Sequence, residues 1–261
     1  MRIATWNINS LRLRIDTLSR IVTTIRPDII CLQETKVPDP DFPLLEVRAL
    51  GFDHLLFRGQ PNYNGVAILS KVPLRQADTR NWCEKGDCRH LSARLPGGAV
   101  LHNFYIPAGG DIPDPEQNDK FAHKLRFVDE ITEHFSGIRP GRSILVGDLN
   151  IAPLETDVWS HKQLLKVVSH TPVEVEGLGR AMAAHRWVDA VRHFIPPEQK
   201  LYTWWSYRNR DWTASDRGRR LDHIWVTPVL KDRLAGAAVH KDTRNWELCS
   251  DHVPVLVRLY D

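Results

Sequence analysis

Residues 142–153 place polar side chains directly after a short apolar run. Residues 143–146 are mostly aliphatic, a pattern typical of a buried strand, and Gly147 ends the run. Asp148 and Asn150 follow at once, and ligands of α/β sheets bind outside strand ends. A carboxylate accepts protons, whereas a carboxamide donates hydrogen bonds without adding charge. The pair is suited to act on one water or phosphate, although an isolated Asp-Leu-Asn is also a common turn.

Other predicted strands also begin or end at polar side chains. Besides the pair above, these residues are Asn7, Glu34, Tyr105, Asp222, Asp251 and His252. Each has a structural explanation when taken singly, such as a helix cap or an ion pair, but the whole set is harder to explain in that way. Its carboxylate and amide oxygens are hard ligands that suit Mg²⁺ or Mn²⁺ better than zinc. Asp148 and His252 can activate water and stabilise charge, so the set predicts metal-dependent hydrolysis of a phosphate ester.

The elements that position these residues begin with an α/β unit. Residues 2–8 alternate as in a strand, residues 11–25 carry apolar side chains at helical spacing, and residues 29–32 form an apolar strand. Ser10 is a candidate cap of the helix. Strands joined in this way pair in parallel, and their ends therefore lie at one edge of the sheet.

The remaining predicted elements alternate between short strands and helices. Strands are predicted at 52–57, 65–69, 88–95, 99–106, 221–226 and 250–259, and helices at 119–135, 160–168 and 179–194. In the first of these helices, Lys120, Lys124 and Arg126 are expected to face solvent or phosphate. No repeat or low-complexity linker interrupts the chain, so we expect a single domain over residues 1–261.

Composition limits the setting of the protein. The chain has 35 basic and 32 acidic residues and a formal charge of +3, which permits an anionic partner without requiring one. No apolar run approaches the roughly 18 residues needed to span a bilayer. The N-terminus leads directly into a strand and the four cysteines are scattered, so we expect a reduced, cytoplasmic protein with no membrane partner. Cys83, Cys88 and His90 are spaced too irregularly to predict a zinc site.

Arginines alternate with aromatic residues between positions 202 and 220. The arginines are Arg208, Arg210, Arg217, Arg219 and Arg220. Guanidinium groups bind phosphates, and aromatic rings stack on bases or line a sugar pocket. The tryptophans Trp204, Trp212 and Trp225 could be buried in the core. Five arginines are not all expected in the core, because each carries a charge. The stretch therefore predicts a surface that faces phosphates.

Taken together, these motifs resemble the exonuclease III branch, the abasic-site endonucleases, of the endonuclease/exonuclease/phosphatase superfamily. The segments that carry the resemblance are Trp6-Asn-Ile-Asn9, Leu32-Gln-Glu-Thr-Lys36, Tyr105 with Pro107, Gly147-Asp-Leu-Asn150, Trp204-Trp-Ser-Tyr-Arg208, Arg217-Gly218 with Leu221-Asp222, and Ser250-Asp-His-Val-Pro254. They follow the family order along nearly the whole chain. The resemblance implies a DNase I-like fold, a four-layer α/β sandwich of two packed mixed β-sheets flanked by helices.

The resemblance also implies an activity in DNA base excision repair. The expected reaction is Mg²⁺-dependent cleavage of the phosphodiester 5′ to an abasic site in duplex DNA, which leaves a 3′-hydroxyl. Exodeoxyribonuclease activity in the 3′-to-5′ direction and 3′-phosphoesterase activity are expected as well, with Mn²⁺ as a substitute for Mg²⁺. The implied partner is double-stranded DNA with abasic sites or blocked 3′ ends, and the protein is expected to be a monomer.

Site residues carry over by position in the motifs. The implied metal site consists of Glu34, with Asn7 and Asp251 near it. The implied catalytic residues are Tyr105, Asp148, Asn150, Asp222 and His252. The implied DNA contacts are Lys120, Trp204, Trp205, Arg208, Arg217, Arg219 and Leu221, of which the two tryptophans and the leucine border the pocket for an extruded abasic sugar.

The resemblance gives the catalytic residues distinct roles. Asp148 orients and deprotonates the attacking water, and Asn150 helps to place it. His252, oriented by Asp222, contacts the scissile phosphate. Tyr105 supports the phosphate or the leaving oxygen, and the choice between Tyr105 and Asp148 as the base stays open.

Three departures from the family pattern bear on specificity. Ala108 stands where the pattern has glutamine, Ser206 replaces the usual aspartate of the Trp-x-Asp-Tyr-Arg run, and Arg219 stands where an apolar residue would enter the abasic gap. An arginine can fill that gap with its stem or reach a phosphate, so the changes affect the balance between endonuclease and exonuclease activity. The alternatives are a lipid phosphatase of the same superfamily and a catalytically silent nucleic-acid-binding module. The Leu-Gln-Glu-Thr-Lys run argues against the first, and the complete set of catalytic side chains argues against the second.

Overall fold

The computed structural model describes residues 1–209 and 211–260, in which twelve strands form two six-stranded sheets. The strands of the first sheet, numbered in chain order, are β1 (Arg2–Asn7), β2 (Ile29–Gln33), β3 (His54–Arg58), β4 (Val66–Ser70), β11 (Leu234–Val239) and β12 (Val255–Leu259). Their spatial order is β11-β12-β1-β2-β4-β3. β1 and β2 are parallel, as predicted, and the other neighbours are antiparallel.

The second sheet has the same mixed character. Its strands are β5 (Arg75–Gln76), β6 (His90–Arg94), β7 (Val100–Tyr105), β8 (Ser143–Asp148), β9 (Val188–Asp189) and β10 (Asp222–Val226). Their spatial order is β5-β6-β7-β8-β10-β9, with β7 and β8 parallel. β6 and β7 form the predicted hairpin.

Seven α-helices occur in the described residues. They are α1 (Ile15–Ile25), α2 (Leu44–Ala49), α3 (Asp119–Ser136), α4 (His161–Leu164), α5 (Pro172–Ala184), α6 (Trp212–Ser215) and α7 (Pro228–Lys231). Short 3₁₀ helices occur at Asp39–Asp41, Trp82–Glu84, Glu155–Asp157 and Lys241–Asn245.

Side-chain alternation along the strands separates the core into three layers. The layer between the sheets draws on both of them, including Ile3 of β1 and Val146 of β8. On the other face of the first sheet, Trp6 packs with Leu18 of α1. On the other face of the second sheet, Phe127 of α3 packs with residues of β7, β8 and α5. The order helix, sheet, sheet, helix confirms the predicted four-layer α/β sandwich.

The last two predicted helices differ from those observed. The helix predicted at 160–168 is confined to α4, and the helix predicted at 179–194 begins and ends earlier, as α5. Thr171 and Glu174 form a capping box that starts α5 before the predicted position. After α5 the chain forms β9, which pairs with β10. Part of the segment that was predicted to be helical is therefore a strand.

Ser10 and Lys124 also occupy unexpected positions. Ser10 does not cap α1, because its backbone N–H donates to the Glu34 carbonyl oxygen at 2.7 Å and α1 begins only at Ile15. Lys124 was predicted to face solvent or phosphate, and that prediction is wrong. Its side chain is fully buried, and Nζ lies 2.5 Å from Glu174 Oε1, a carboxylate of α5 that compensates the buried charge.

The structure also bears on the cysteines and on membrane insertion. All four cysteines are free thiols. Within residues 1–209 and 211–260, no helix combines the length and the apolar character needed to cross a bilayer.

Gly147 allows β8 to deliver Asp148 to the sheet edge. Its φ is 144°, and a Cβ atom at this position would lie 1.9 Å from the Phe104 carbonyl oxygen on β7. Only glycine permits so close an approach of two backbones. Because glycine has no side chain, β8 can lie this close to β7, and the position of the Asp148 carboxylate depends on that close approach.

Gly147→Ala is expected to lower the free energy of unfolding by at least about 2 kcal/mol, because the methyl group must displace the neighbouring strand. Gly179→Ala is the matched control, since Gly179 is exposed on α5 and nothing lies within 4 Å of its added Cβ. The control should raise the free energy of unfolding by about 0.5–1 kcal/mol through helix propensity. Chemical denaturation measures both, and equal stabilities of the two variants would contradict the account.

Candidate active site

The side-chain amide of Asn7 joins the two sheets where their strands end. Asn7 is the last residue of β1 and is fully buried. Its Nδ2 donates to Glu34 Oε1 and to Asp148 Oδ2, in both cases at 2.9 Å. Glu34 follows β2 in the first sheet, and Asp148 ends β8 in the second. One neutral donor thus holds two carboxylates from different sheets side by side.

Glu34 accepts hydrogen bonds at both carboxylate oxygens. Oε1 also accepts from the Tyr105 hydroxyl at 2.8 Å, and Oε2 lies 2.9 Å from Lys36 Nζ. Burial alone would raise the pKa of Glu34, but Lys36 and the donated hydrogen bonds outweigh it and lower this pKa. Burial and the negative charge of Glu34 raise the pKa of the Tyr105 phenol. An ionised carboxylate therefore lies beside a protonated tyrosine.

The turn after β8 fixes the carboxylate of Asp148. The Asn150 backbone N–H donates to Asp148 Oδ1 at 3.0 Å, and Asn150 Nδ2 lies 3.2 Å from Oδ2. The same Nδ2 donates to the Ile106 carbonyl oxygen at 2.9 Å, and Asn150 has a φ of 53°. Burial raises the pKa of Asp148, although the nearby His252 acts in the opposite direction. A carboxylate with a raised pKa is a stronger proton acceptor.

His252 lies between two carboxylates. Its Nδ1 is 2.8 Å from Asp222 Oδ2, and its Nε2 is 3.7 Å from Asp148 Oδ2. The Thr203 hydroxyl donates to the same oxygen of Asp222 at 2.6 Å and so fixes this carboxylate. Burial alone would lower the pKa of His252, but Asp222 and Asp148 outweigh it and raise this pKa well above its usual value. The ring is therefore a cation at neutral pH.

Two groups of side chains offer ligands for a metal ion. Ligand atoms of Asp148, Asp222 and His252 all lie within 4.8 Å of one another. The two carboxylates raise the pKa of His252, so without a metal ion the protonated imidazole can itself supply positive charge in this group. Glu34 fits a hard divalent ion better, because it is an ionised oxygen ligand whose Oε2 already faces a cation, the Lys36 ammonium.

Asn9 and Asp251 extend the oxygen-rich group around Glu34. Asn9 Nδ2 donates to Asp251 Oδ1 at 3.1 Å, and Asn9 Oδ1 accepts from Lys36 Nζ at 2.7 Å. The Asn9 backbone N–H donates to Asn7 Oδ1 at 3.1 Å. One hydrogen-bonded group therefore contains all three predicted metal ligands: Asn7, Glu34 and Asp251.

A cavity of about 920 Å³ opens next to this site, beside Trp204. The Trp204 indole donates to Asp251 Oδ2 at 2.9 Å, which joins the cavity wall to the site. Arg208, Arg217 and Arg219 line the wall, and the Arg219 guanidinium lies 5.3 Å from the centre of the Trp204 ring. Such a cationic, partly aromatic wall suits a nucleic-acid backbone.

The other predicted DNA contacts occupy different positions. Lys120 is exposed in the first turn of α3. Trp205 and Leu221 are buried, and neither lines the cavity. Trp205 packs on Trp212 with ring centres 5.1 Å apart, and Leu221 packs against Trp204. These two residues support the wall from behind.

The prediction of phosphate-facing arginines fails at Arg220. Its side chain is fully buried, and its guanidinium forms ion pairs with Asp157 and Asp189. These carboxylates compensate the burial of the charge, so Arg220 belongs to the core, as does Trp225. Arg210 lies outside the described residues.

Sequence reasoning missed two residues that hold the site in place, Thr203 and Lys124. Thr203 gives no local signal, because its partner lies on a strand 19 residues further along the chain. Lys124 donates to the Asn150 carbonyl oxygen at 2.7 Å. The available signal was its helical spacing from Phe121 and Val128, which places it on the buried face of α3.

Asp222→Asn should lower the pKa of His252, because the amide keeps the shape of the carboxylate and removes its charge. In the metal-free wild type, the ring should stay protonated well above the usual midpoint of about 6.5. NMR of ¹⁵N-histidine-labelled protein measures the titration of His252 in the wild type and in the variant. An unchanged midpoint for His252 would contradict the claim that the charge of Asp222 raises the pKa of this ring.

Comparisons with known proteins show which family this chain belongs to. A model of the endonuclease/exonuclease/phosphatase family matches residues 4–252. Exodeoxyribonuclease III of Haemophilus influenzae is 30% identical over 270 residues, which cover 98% of this chain and 98% of that protein. An AP endonuclease from Archaeoglobus fulgidus superposes over 100% of both chains with a TM-score of 0.91 and 28% identity.

A further solved structure shows a relative with nucleic acid. The 3′ phosphatase NExo from Neisseria, bound to a product DNA hairpin, superposes over 100% of both chains with a TM-score of 0.90 and 30% identity. The predicted resemblance is thereby confirmed. The chain belongs to the endonuclease/exonuclease/phosphatase family, in its exonuclease III and abasic-endonuclease branch.

Proposed function

We propose that this protein is a Mg²⁺-dependent DNA repair nuclease that hydrolyses the phosphodiester 5′ to abasic sites in duplex DNA. The proposal includes 3′-to-5′ exonuclease and 3′-phosphoesterase activity, with Mn²⁺ able to replace Mg²⁺. The observation that carries it is the group in which Asn7 holds Glu34 beside Asp148, with His252 on the other side of Asp148. This group combines a cation site, a proton acceptor and a fixed positive charge.

Asp148 is the proposed acceptor of the proton from the attacking water. Its raised pKa favours this role, and Asn150 holds the carboxylate by two hydrogen bonds. The water oxygen bonds to phosphorus while the bond from phosphorus to the 3′ oxygen breaks, and the departing 3′ oxygen takes up a proton from solvent. The products are a 3′-hydroxyl and a 5′-phosphate on the abasic side.

Tyr105 acts as a donor in this proposal, not as the base. Its hydroxyl donates to Glu34, and its raised pKa favours the protonated form. A protonated phenol can support the phosphate or the leaving oxygen, and the role of base then belongs to Asp148.

His252 supplies positive charge to the phosphate. Asp222 keeps the imidazolium in place, and Thr203 keeps Asp222 in place. A pre-positioned cation stabilises the negative charge that develops on the phosphoryl oxygens in the transition state.

The proposed ligands of the divalent ion are Glu34, Asn7 and Asp251. Their oxygen atoms match the preference of Mg²⁺ and Mn²⁺ for hard donors. When bound, such an ion neutralises phosphate charge and polarises the phosphoryl group. The lowered pKa of Glu34 keeps this ligand ionised at neutral pH.

The cavity beside the site is the proposed contact with DNA. The contacting residues would be Lys120, Trp204, Arg208, Arg217 and Arg219. Leu221 packs behind Trp204, and Trp205 belongs to a cluster that packs behind Trp159. A nucleotide that lacks its base costs less to extrude from the duplex, which favours abasic sites as substrates. The AP endonuclease from Archaeoglobus and the Neisseria 3′ phosphatase with its DNA hairpin support DNA with abasic sites or blocked 3′ ends as the partner.

The proposal also covers the form of the protein in the cell. We infer that residues 1–261 act as one domain, as a monomer and in the cytoplasm. The core layer between the sheets draws residues from both, which favours one domain. Four free thiols suit a reducing compartment.

A duplex that carries one tetrahydrofuran abasic analogue tests the proposed activity. With Mg²⁺ we expect a single nick 5′ to the analogue, and with EDTA no nick. Asp148→Asn should lower the rate at least about 100-fold, because an amide cannot take the proton from water. Asp129→Asn is the matched control, since it makes the same change on an exposed position of α3 and should leave the rate unchanged.

The pattern of products separates the parts of the proposal. If the protein only shortens DNA from 3′ ends, then Ala108 and Arg219 have shifted it towards exonuclease activity. If it cuts no DNA with Mg²⁺ or Mn²⁺, the proposal is overturned, and phosphorylated lipids and small molecules become the substrates to examine.

A further inference from the structure

Three consecutive carbonyl groups after the Asp148 turn each accept a hydrogen bond from a buried side chain. For the carbonyls at positions 150, 151 and 152, the distances are 2.7, 2.9 and 2.6 Å, and the donors are Lys124, His223 and His170. The donors come from α3, β10 and the segment before α5. Lys124 acts on Asn150 itself, the residue whose amide groups bind Asp148.

Lys124 connects Asn150 with two other segments. Its Nζ also donates to the Ala108 carbonyl oxygen at 3.3 Å, on the segment that follows β7. The same atom lies 2.5 Å from Glu174 Oε1, and both side chains are fully buried. Glu174 in turn accepts from the backbone N–H groups of Ser169 and Thr171, at 2.9 and 3.1 Å. The ion pair thus fixes the turn after β8, the segment after β7 and the start of α5.

An ion pair in this position is not explained by packing. The surrounding contact between α3 and α5 is apolar and includes Phe127, Val128 and Leu178. Removing two charges from water carries a desolvation cost that a well-packed apolar pair avoids. An apolar side chain at position 124, however, has no group that donates to the Asn150 carbonyl.

We propose that Lys124 is a positioning residue for the nuclease reaction: its ammonium, held by Glu174, fixes the Asn150 carbonyl and through it the carboxylate of Asp148. Lys124 touches backbone carbonyls and no reacting atom, so it acts through Asn150. This inference rests on the proposed function, because it assigns Asp148 the role of proton acceptor.

The backbone of Asn150 makes the turn sensitive to this hydrogen bond. Its φ of 53° lies in the left-handed region, which asparagine adopts more readily than other non-glycine residues but less readily than the right-handed region. The hydrogen bonds to Asn150 therefore help to select this conformation. Without the ammonium, Asn150 can relax, and the two hydrogen bonds that it donates to Asp148 are then lost or lengthened.

Three variants separate positioning from stability. They are Lys124→Met, Glu174→Gln and the double variant Lys124→Met/Glu174→Gln. Each single variant leaves one member of the buried pair without its charged partner, so we expect a lower melting temperature. The double variant removes both charges while its glutamine still accepts from Ser169 and Thr171, so most of the stability should return.

Cleavage of the abasic duplex then gives the decisive comparison. In the double variant we expect kcat to remain about 10- to 100-fold below wild type with KM unchanged, because Asp148 is misplaced although DNA still binds. Arg180→Met is the control, since it removes an exposed ion pair with Asp129 between the same two helices and should change neither kcat nor KM. A double variant with the kcat of wild type would overturn the inference and leave the pair a purely structural role.

A crystal structure of the double variant supplies a readout that does not depend on activity. We expect Asn150 to leave the left-handed region or to lose a hydrogen bond to Asp148. If Asn150 and its hydrogen bonds to Asp148 are unchanged in the double variant, the inference is overturned, and this result does not depend on which substrate the wild-type protein cleaves. A wild type that cuts no DNA, combined with a displaced turn in the variant, would overturn the proposed function and leave the structural coupling of Lys124 to Asp148 intact.

Discussion

The candidate active site depends on one side-chain amide, that of Asn7, which donates to carboxylates from two different sheets. Two neighbouring carboxylates repel each other, and a shared neutral donor lets them approach without adding a net charge. This contact forms only where the end of β1 meets the ends of β2 and β8. The sandwich supplies that meeting point by packing the sheets face to face, and Gly147 lets β8 approach β7 closely enough for Asp148 to take part.

The surrounding charges divide this site into two parts with different cations. On one side His252 lies between Asp222 and Asp148, which raise its pKa, so the protonated ring can supply positive charge to a phosphate. On the other side the pKa of Glu34 is lowered, so its carboxylate is ionised, and its Oε2 pairs with the Lys36 ammonium. Because Asp148 lies between the two parts, its proton affinity responds to both, and this arrangement suits a base that works between a metal site and an imidazolium.

The sequence allowed the strand ends to be predicted, because polar residues such as Asp148 follow apolar runs without a break. The helix at 119–135 was also predicted, as α3, from its spacing. The burial of Lys124 and Arg220 was not predicted, because the carboxylates that compensate them come from distant parts of the chain. The pattern of single residues contains no such pairing, and a charged side chain is normally expected at the surface. The roles proposed for the candidate catalytic residues rest on the family resemblance, and the contacts of these residues come from the structure.

The central claim is that the metal ion binds at Glu34 while His252 remains the cation between Asp148 and Asp222. Anomalous diffraction from crystals soaked in Mn²⁺ tests it most directly, because the signal locates the ion without reference to activity. The account predicts a peak at direct-ligand distance from the Glu34 carboxylate, with the His252 ring still hydrogen-bonded to Asp222. A peak enclosed by Asp148, Asp222 and His252, with none at Glu34, would contradict it.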